Sequence, residues 1–143
     1  MEQEKKTNIE NNDRRQNQRF IARRSGTPCF WISYNNKTER IPLDDLSLEG
    51  FGILTSQPSV TIGGAFDFVL HREGLPDQIR GRANAVNHFS GTNGNVVGCR
   101  FISLEDDGAE RLQEWLVAHV IINATIRITE KEALAIVKGR SLV

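Results

Sequence analysis

The chain has one methionine, one tyrosine, two tryptophans, two cysteines and four prolines in 143 residues. Cys29 and Cys99 are too few and too distant in sequence to form a disulfide scaffold, so both are expected to be reduced, buried thiols. The chain also lacks net charge, because 18 basic residues balance 18 acidic ones. That excludes a uniform basic field for duplex nucleic acid but leaves room for a local basic patch. Long hydrophobic runs are missing. The longest, residues 115–122, is broken by His119 and falls far short of the ~20 residues of a spanning helix. Residues 1–19 contain only Met1 and Ile9 as apolar residues, so no secretory segment opens the chain and a cytoplasmic location is expected.

Chemistry-bearing patterns are equally sparse. His71, His88, His119 and the two cysteines show no zinc-like spacing. The acidic groups at 44–49 and 105–107 lack the ordered ligand positions of a calcium loop, so no metal is expected. No glycine-rich loop opens a helix, and no nucleophile–histidine–acid pattern is evident. No catalytic constellation and no cofactor-binding motif is therefore expected. With 38% hydrophobic and 25% charged residues, the chain still has enough apolar material for one packed domain.

Residues 1–13 are polar and cannot bury apolar area, so they are expected to form a disordered arm. Residues 14–24, RRQNQRFIARR, carry five arginines and no acid. Strand patterns follow at 29–34, 40–43, 51–55, 65–71, 78–89 and 96–102, separated by Gly, Asn, Asp and Pro turn chemistry. Pro42 suggests an edge or irregular pairing. The period then changes. Leu112, Trp115, Leu116 and His119 recur at helical spacing over 108–122, behind a capping-box pattern at Asp107 and Glu110. A second capping box, Thr129 and Glu132, opens a short helix closed by Gly139. The expectation is a mainly β protein: a six-stranded antiparallel barrel with a C-terminal α-helix and a flexible N-terminal arm. Trp31 and Trp115 are read as core, and His119 as a packed boundary residue.

Two clusters carry recognition chemistry. Arg14, Arg15 and Arg19 offer planar guanidinium forks that pair with guanine or phosphate and stack on bases. Residues 45–50, DLSLEG, place Asp45 and Ser47 two apart on one face, with Leu46 and Leu48 on the other. The Asp45 carboxylate can accept two parallel N–H bonds, as guanine presents them. Gly50 permits a turn at positive φ or a close ligand approach. Either cluster alone is also what a solvated basic segment or an Asx-type turn looks like. His88 is kept as an auxiliary candidate on the polar Arg80, Arg82, Asn84 and Val86 face, for which a solvated surface is the plainer reading.

The ordered pair, with VGCRF at 97–101 before a helix, resembles the PilZ domain, a bacterial receptor module for cyclic di-GMP. Its R-x-x-x-R signature falls on Arg15 to Arg19, and its [D/N]-x-S-x-x-G signature on Asp45, Ser47 and Gly50. Arg19 to Arg23 also fits the first signature, and Arg23 is treated as auxiliary. The resemblance implies a PilZ domain over 14–125 and a helical extension over 126–143. It also implies a receptor whose arginine arm reorders on binding and signals to a protein partner in motility, pilus or exopolysaccharide control. Arg14, directly before the first signature, implies two cyclic di-GMP molecules per chain. No exposed apolar helix face is evident, so a monomer is expected. Two other readings are a β-barrel binding single-stranded nucleic acid through its basic arm, and a PilZ-like adaptor without ligand. The first requires aromatic rings on the barrel face.

Overall fold

The computed structural model describes residues 19–24, 27–35, 38–54, 64–91 and 94–139. All six expected strand regions form. They are β4 (Phe30–Tyr34), β5 (Ile41–Leu46), β6 (Gly50–Leu54), β7 (Ala65–Arg72), β8 (Gln78–Gly91) and β9 (Gly94–Leu104). Their antiparallel order is β5-β4-β7-β8-β9-β6, and β6 pairs back onto β5, so the sheet closes into a six-stranded barrel. A seventh strand, β1 (Phe20–Ile21), lies outside the barrel on β5. Two short strands, β2 (Arg23–Arg24) and β3 (Thr27–Pro28), pair with each other. β1, β2 and β3 fall in or near the arginine-rich segment, where periodicity over two residues gives no readable signal.

Period-two alternation fills the barrel. Phe30, Ile32, Leu43, Phe51, Ile53, Phe66, Phe68, Leu70, Ile79 and Cys99 are all buried. Phe51 is central: its ring packs edge-on against Phe66 and Phe68 and tilts against Phe101 at 5.5 Å. Trp31 points outward between these core residues and is only half-buried, which corrects its reading as core. Pro42 sits opposite Trp31 in a β4–β5 ladder of only two residue pairs, an irregular seam that suits a residue without an N–H. The β5–β6 ladder also shifts register between Leu43 and Asp45.

Helix α1 (Gly108–Asn123) lays Leu112, Trp115, Leu116 and His119 against the barrel. Trp115 stacks on Phe30 with ring centroids 6.3 Å apart. The capping box expected at its start is not made. The Asp107 side chain accepts from Arg111 instead, at 3.1 Å, and donates no order to the first N–H groups. The box at α2 (Glu130–Lys138) is complete, with Thr129 and Glu132 bonding reciprocally. Ala133 and Val137 are the buried face of α2. No helix among the described residues is long and apolar enough to cross a membrane.

Phe51 fills the centre of the barrel, so Phe51→Ala should cost about 3–5 kcal/mol of stability in urea unfolding. Trp31→Ala, at a half-exposed outer position, should cost clearly less. Equal losses would contradict the placement of the core.

Candidate site on the barrel rim

Asp45 lies at the end of β5, where the strand turns into β6. The turn is fixed by Ser47. Its N–H donates to the Gly50 carbonyl at 2.9 Å, and its hydroxyl accepts from the N–H groups of Glu49 and Gly50 at 3.2 and 3.3 Å. Ser47 is fully buried, so it does not share an open face with Asp45 as simple alternation suggested. The strand ends at Leu46, and a turn does not keep period two. Ser47 therefore shapes the loop that carries Asp45.

Gly50 has a different task from the expected one. Among the described glycines only Gly74 has positive φ. A Cβ on Gly50 would fall onto the Cys99 carbonyl oxygen, with the Cα of Arg100 at 3.1 Å. Gly50 is thus required by the close approach of β9. Gly52 works similarly: a Cβ there would lie 3.0 Å from Asp45 Oδ1 and 2.9 Å from Val96 Cγ1. Its bare backbone leaves the Asp45 carboxylate room to lie against the sheet. Sequence reasoning missed Gly52, although glycines at 50 and 52, at outward positions of one strand, are a readable sign of close approach.

Arg19 meets this carboxylate. Its Nη1 donates to Asp45 Oδ1 at 3.3 Å, and the two side chains are 13% and 18% exposed. Arg19 Nε is buried and has no partner among the described residues. A buried donor left unmet costs about 1–3 kcal/mol, so the guanidinium has capacity for a further acceptor. The strand after Arg19 is already docked. Phe20 and Ile21 pair with Leu46 and Asp45, and Ala22 is completely buried. The expected flexible arm is thus anchored at Phe20 to Ala22, where Phe20 and Ala22 supply apolar contacts to the barrel. Arg14 and Arg15 lie outside the described residues. Arg23 pairs with Pro28 in the β2–β3 ribbon, and its backbone position is all that is described.

On the far side of β9 the ladder bulges between Ala85 and Asn87. The extra residue reverses alternation. Asn84 stands opposite Arg100 and Asn87 opposite Gly98, while His88 stands opposite Val97 and is exposed. The bulge thus gives Asn87, rather than His88, the face of Asn84. Glu49 and Arg100 complete the rim, 3.8 Å apart.

The thiol beneath this surface is inert. Burial pushes Cys99 up to about 12, with Arg19 pulling it down and Asp45 pushing it up to smaller extents. Cys29, by contrast, is only half-buried. His71 is buried beside the Ser33 hydroxyl at 3.1 Å, away from the rim, and is held below its ordinary value by burial and by Arg40 and Arg80.

The fold and this rim together define a small β-barrel that presents a half-sequestered arginine–carboxylate pair on a glycine-backed surface. The chain belongs to the PilZ domain family, whose model matches residues 13–118. Two solved structures are similar. One is the inhibitor of motility MotI/DgrA from Bacillus subtilis, with TM-score 0.61, 14% identity and cover of 78% of this chain and 53% of that one. The other is MrkH, described as a c-di-GMP-dependent transcription regulatory factor, with TM-score 0.55, 17% identity and cover of 74% and 50%. The chain spans about half the length of these two proteins. No curated protein matched the sequence.

Two results should follow from the local chemistry. Gly50→Ala should destabilise the protein by about 1–3 kcal/mol, because β9 backbone must move to admit the Cβ. Wild-type melting in that variant would contradict the close-approach role. With Ellman's reagent at about pH 8, Cys29 should react in the folded protein and Cys99 only on unfolding. Because the Cys99 value is raised from 9.0 on folding, its contribution to stability is full below 9.0 and is lost as pH rises from there towards 12. Equal rates for both thiols would contradict its burial.

Proposed function

We propose that the protein is a receptor for cyclic di-GMP, and not an enzyme, with its site at Arg19, Asp45 and the β5–β6 turn. The observation that carries this reading is the Arg19–Asp45 pair, held in place by the two family signatures with one guanidinium N–H still unmet. Cyclic di-GMP has two phosphodiesters and two guanines. A guanidinium fork binds a phosphate or the O6/N7 edge of guanine. A carboxylate accepts from the N1–H and N2–H edge of the same base. At 3.3 Å the ion pair is long for a charge-assisted bond, so ligand acceptors and donors can replace it without great loss.

Arg14 and Arg15 are two more cations within five residues of Arg19 in the sequence. We assign them to the ligand's phosphates and outer guanine faces, and we assign Arg14 to a second, stacked cyclic di-GMP molecule. Gly50 and Ser47 act by fixing the loop. Arg23 and His88 are auxiliary at most. The arginine arm reorders on binding, while Phe20 to Ala22 pair with and pack on the barrel and form its fixed end. The monomeric receptor then passes its state to a protein partner in the control of motility, pili or exopolysaccharide. Support for a regulatory output comes from the similar structures: one is an inhibitor of motility and the other a c-di-GMP-dependent transcription regulatory factor. Against a single-stranded nucleic-acid site, Phe20, Phe30, Phe51, Phe66, Phe68 and Phe101 lie in or against the core, and the half-buried Trp31 on the outer face is no row of stacking rings.

Calorimetric titration should give sub-micromolar to micromolar binding, about −8 to −9 kcal/mol, with two cyclic di-GMP per chain. GTP and a short oligonucleotide serve as controls. Arg19→Ala and Asp45→Ala should each lose about 2 kcal/mol of binding, and Arg14→Leu should leave one ligand per chain. No heat with cyclic di-GMP, or oligonucleotide binding with a steep salt slope, would overturn the assignment.

A further inference from the structure

The strand that follows Arg19 is held by few bonds. β1 has two residues. The Ala22 N–H donates to the Asp44 carbonyl at 3.0 Å, and the Cys29 N–H donates to the Ala22 carbonyl at 2.8 Å. One further tie comes from far along the chain: His119 Nε2 lies 2.8 Å from the Ile21 carbonyl oxygen. His119 belongs to α1, is buried, and sets its ring edge-on against Phe30 at 5.2 Å.

The bonding pattern fixes the state of the ring. A carbonyl only accepts, so Nε2 carries the hydrogen. The other nitrogen, Nδ1, lies 3.3 Å from Asn123 Nδ2, whose second acceptor is the His119 carbonyl at 2.9 Å. The Asn123 amide has two hydrogens and here has two acceptors. Both ring nitrogens and both Asn123 amide hydrogens are matched when His119 is neutral and protonated only on Nε2. A proton on Nδ1 would face the Asn123 N–H and place a charge in a buried position.

We propose that His119 is a positioning residue for the ligand site: by holding the Ile21 carbonyl it seats Arg19, two residues away, against Asp45. The site and α1 are thereby one mechanical unit, with the histidine as the joint. The proposal rests on reading the rim as a cyclic di-GMP site, but the joint can be tested without that ligand.

The joint is also pH-sensitive. The charged and titratable groups facing His119 are Arg72, Glu73 and Cys29 across one cavity of about 330 Å³, and Arg19 across a groove of about 650 Å³. His119 lines both openings. Burial lowers His119 from its ordinary 6.5, Arg72 lowers it further, and the Ile21 carbonyl opposes them. Burial in the docked state therefore disfavours protonation, and a release that opens the ring to water removes that penalty. The latch is full above 6.5 and weakens as pH falls from there towards the lower docked value. Neither guanine nor phosphodiester titrates in this range, so the ligand contributes no such dependence.

The experiment compares wild type, His119→Gln and His119→Ala by amide exchange without ligand, at about pH 7.5 and about pH 5.5. Glutamine can donate to the Ile21 carbonyl and cannot titrate. His119→Ala should speed exchange at Ala22 and Cys29 about tenfold while Ile32 and Leu70 stay protected, and His119→Gln should restore protection. Cyclic di-GMP affinity should fall several-fold at the lower pH in wild type and stay flat in His119→Gln. Unchanged exchange at Ala22 and Cys29 in a folded His119→Ala protein would overturn the proposal, as would the same pH profile in wild type and His119→Gln. The expected exchange pattern with no cyclic di-GMP heat at any pH would uphold the latch and overturn the ligand reading instead.

Discussion

The barrel closes where β6 turns back onto β5, and that closure depends on the contact of Gly50 with the Cys99 carbonyl. Only a residue without a Cβ lets β9 come this near. The same six residues that make the turn also place the charged group: Ser47 ties the loop with its backbone and hydroxyl, and Asp45 leaves the strand just before it. Structure and recognition are therefore written in one segment. A change that loosens the turn also moves the carboxylate, and a change to the carboxylate leaves the turn intact.

Arg19 is a stored cost. A guanidinium that is largely withdrawn from water and only partly satisfied is unfavourable unless something else needs it there. The barrel tolerates it because Asp45 neutralises the charge and because Phe20 and Ala22 bury apolar surface on either side of Ile21. A ligand that brings acceptors to Arg19 and donors to Asp45 relieves both groups at once. Such an exchange favours a ligand with anionic and base-edge groups together over a simple phosphate, which could satisfy only the arginine.

Much of this was legible in the residues. The strand alternation, the helix stripe and the capping box at Thr129 and Glu132 are local patterns, and local patterns are what a sequence displays directly. Asp45 and Arg19 were readable as types suited to one ligand, though nothing in their spacing said that they meet. The failures have physical causes. Trp31 was assigned to the core by its size, but register placed it outside. Gly50 reads as a positive-φ turn or a close ligand approach, whereas the constraint is a neighbouring strand forty-nine residues on, at Cys99. Alternation past Ala85 was broken by one bulged residue, which moved His88 off the expected face. His119 looked like packing because its partner, the Ile21 carbonyl, is a backbone atom ninety-eight residues away. Each miss is a contact between distant segments that no window of sequence contains.

The account rests on cyclic di-GMP meeting the protein at the Arg19–Asp45 rim. Amide chemical-shift mapping during titration with that nucleotide tests it most directly. The largest changes should fall on Arg19 to Ala22, on Asp44 to Gly52 and on Gly98 to Arg100, with the opposite end of the barrel around Gln78 and Arg111 unmoved. Changes centred at that opposite end, or a saturating titration that leaves Asp45 and Gly52 unshifted, would contradict it.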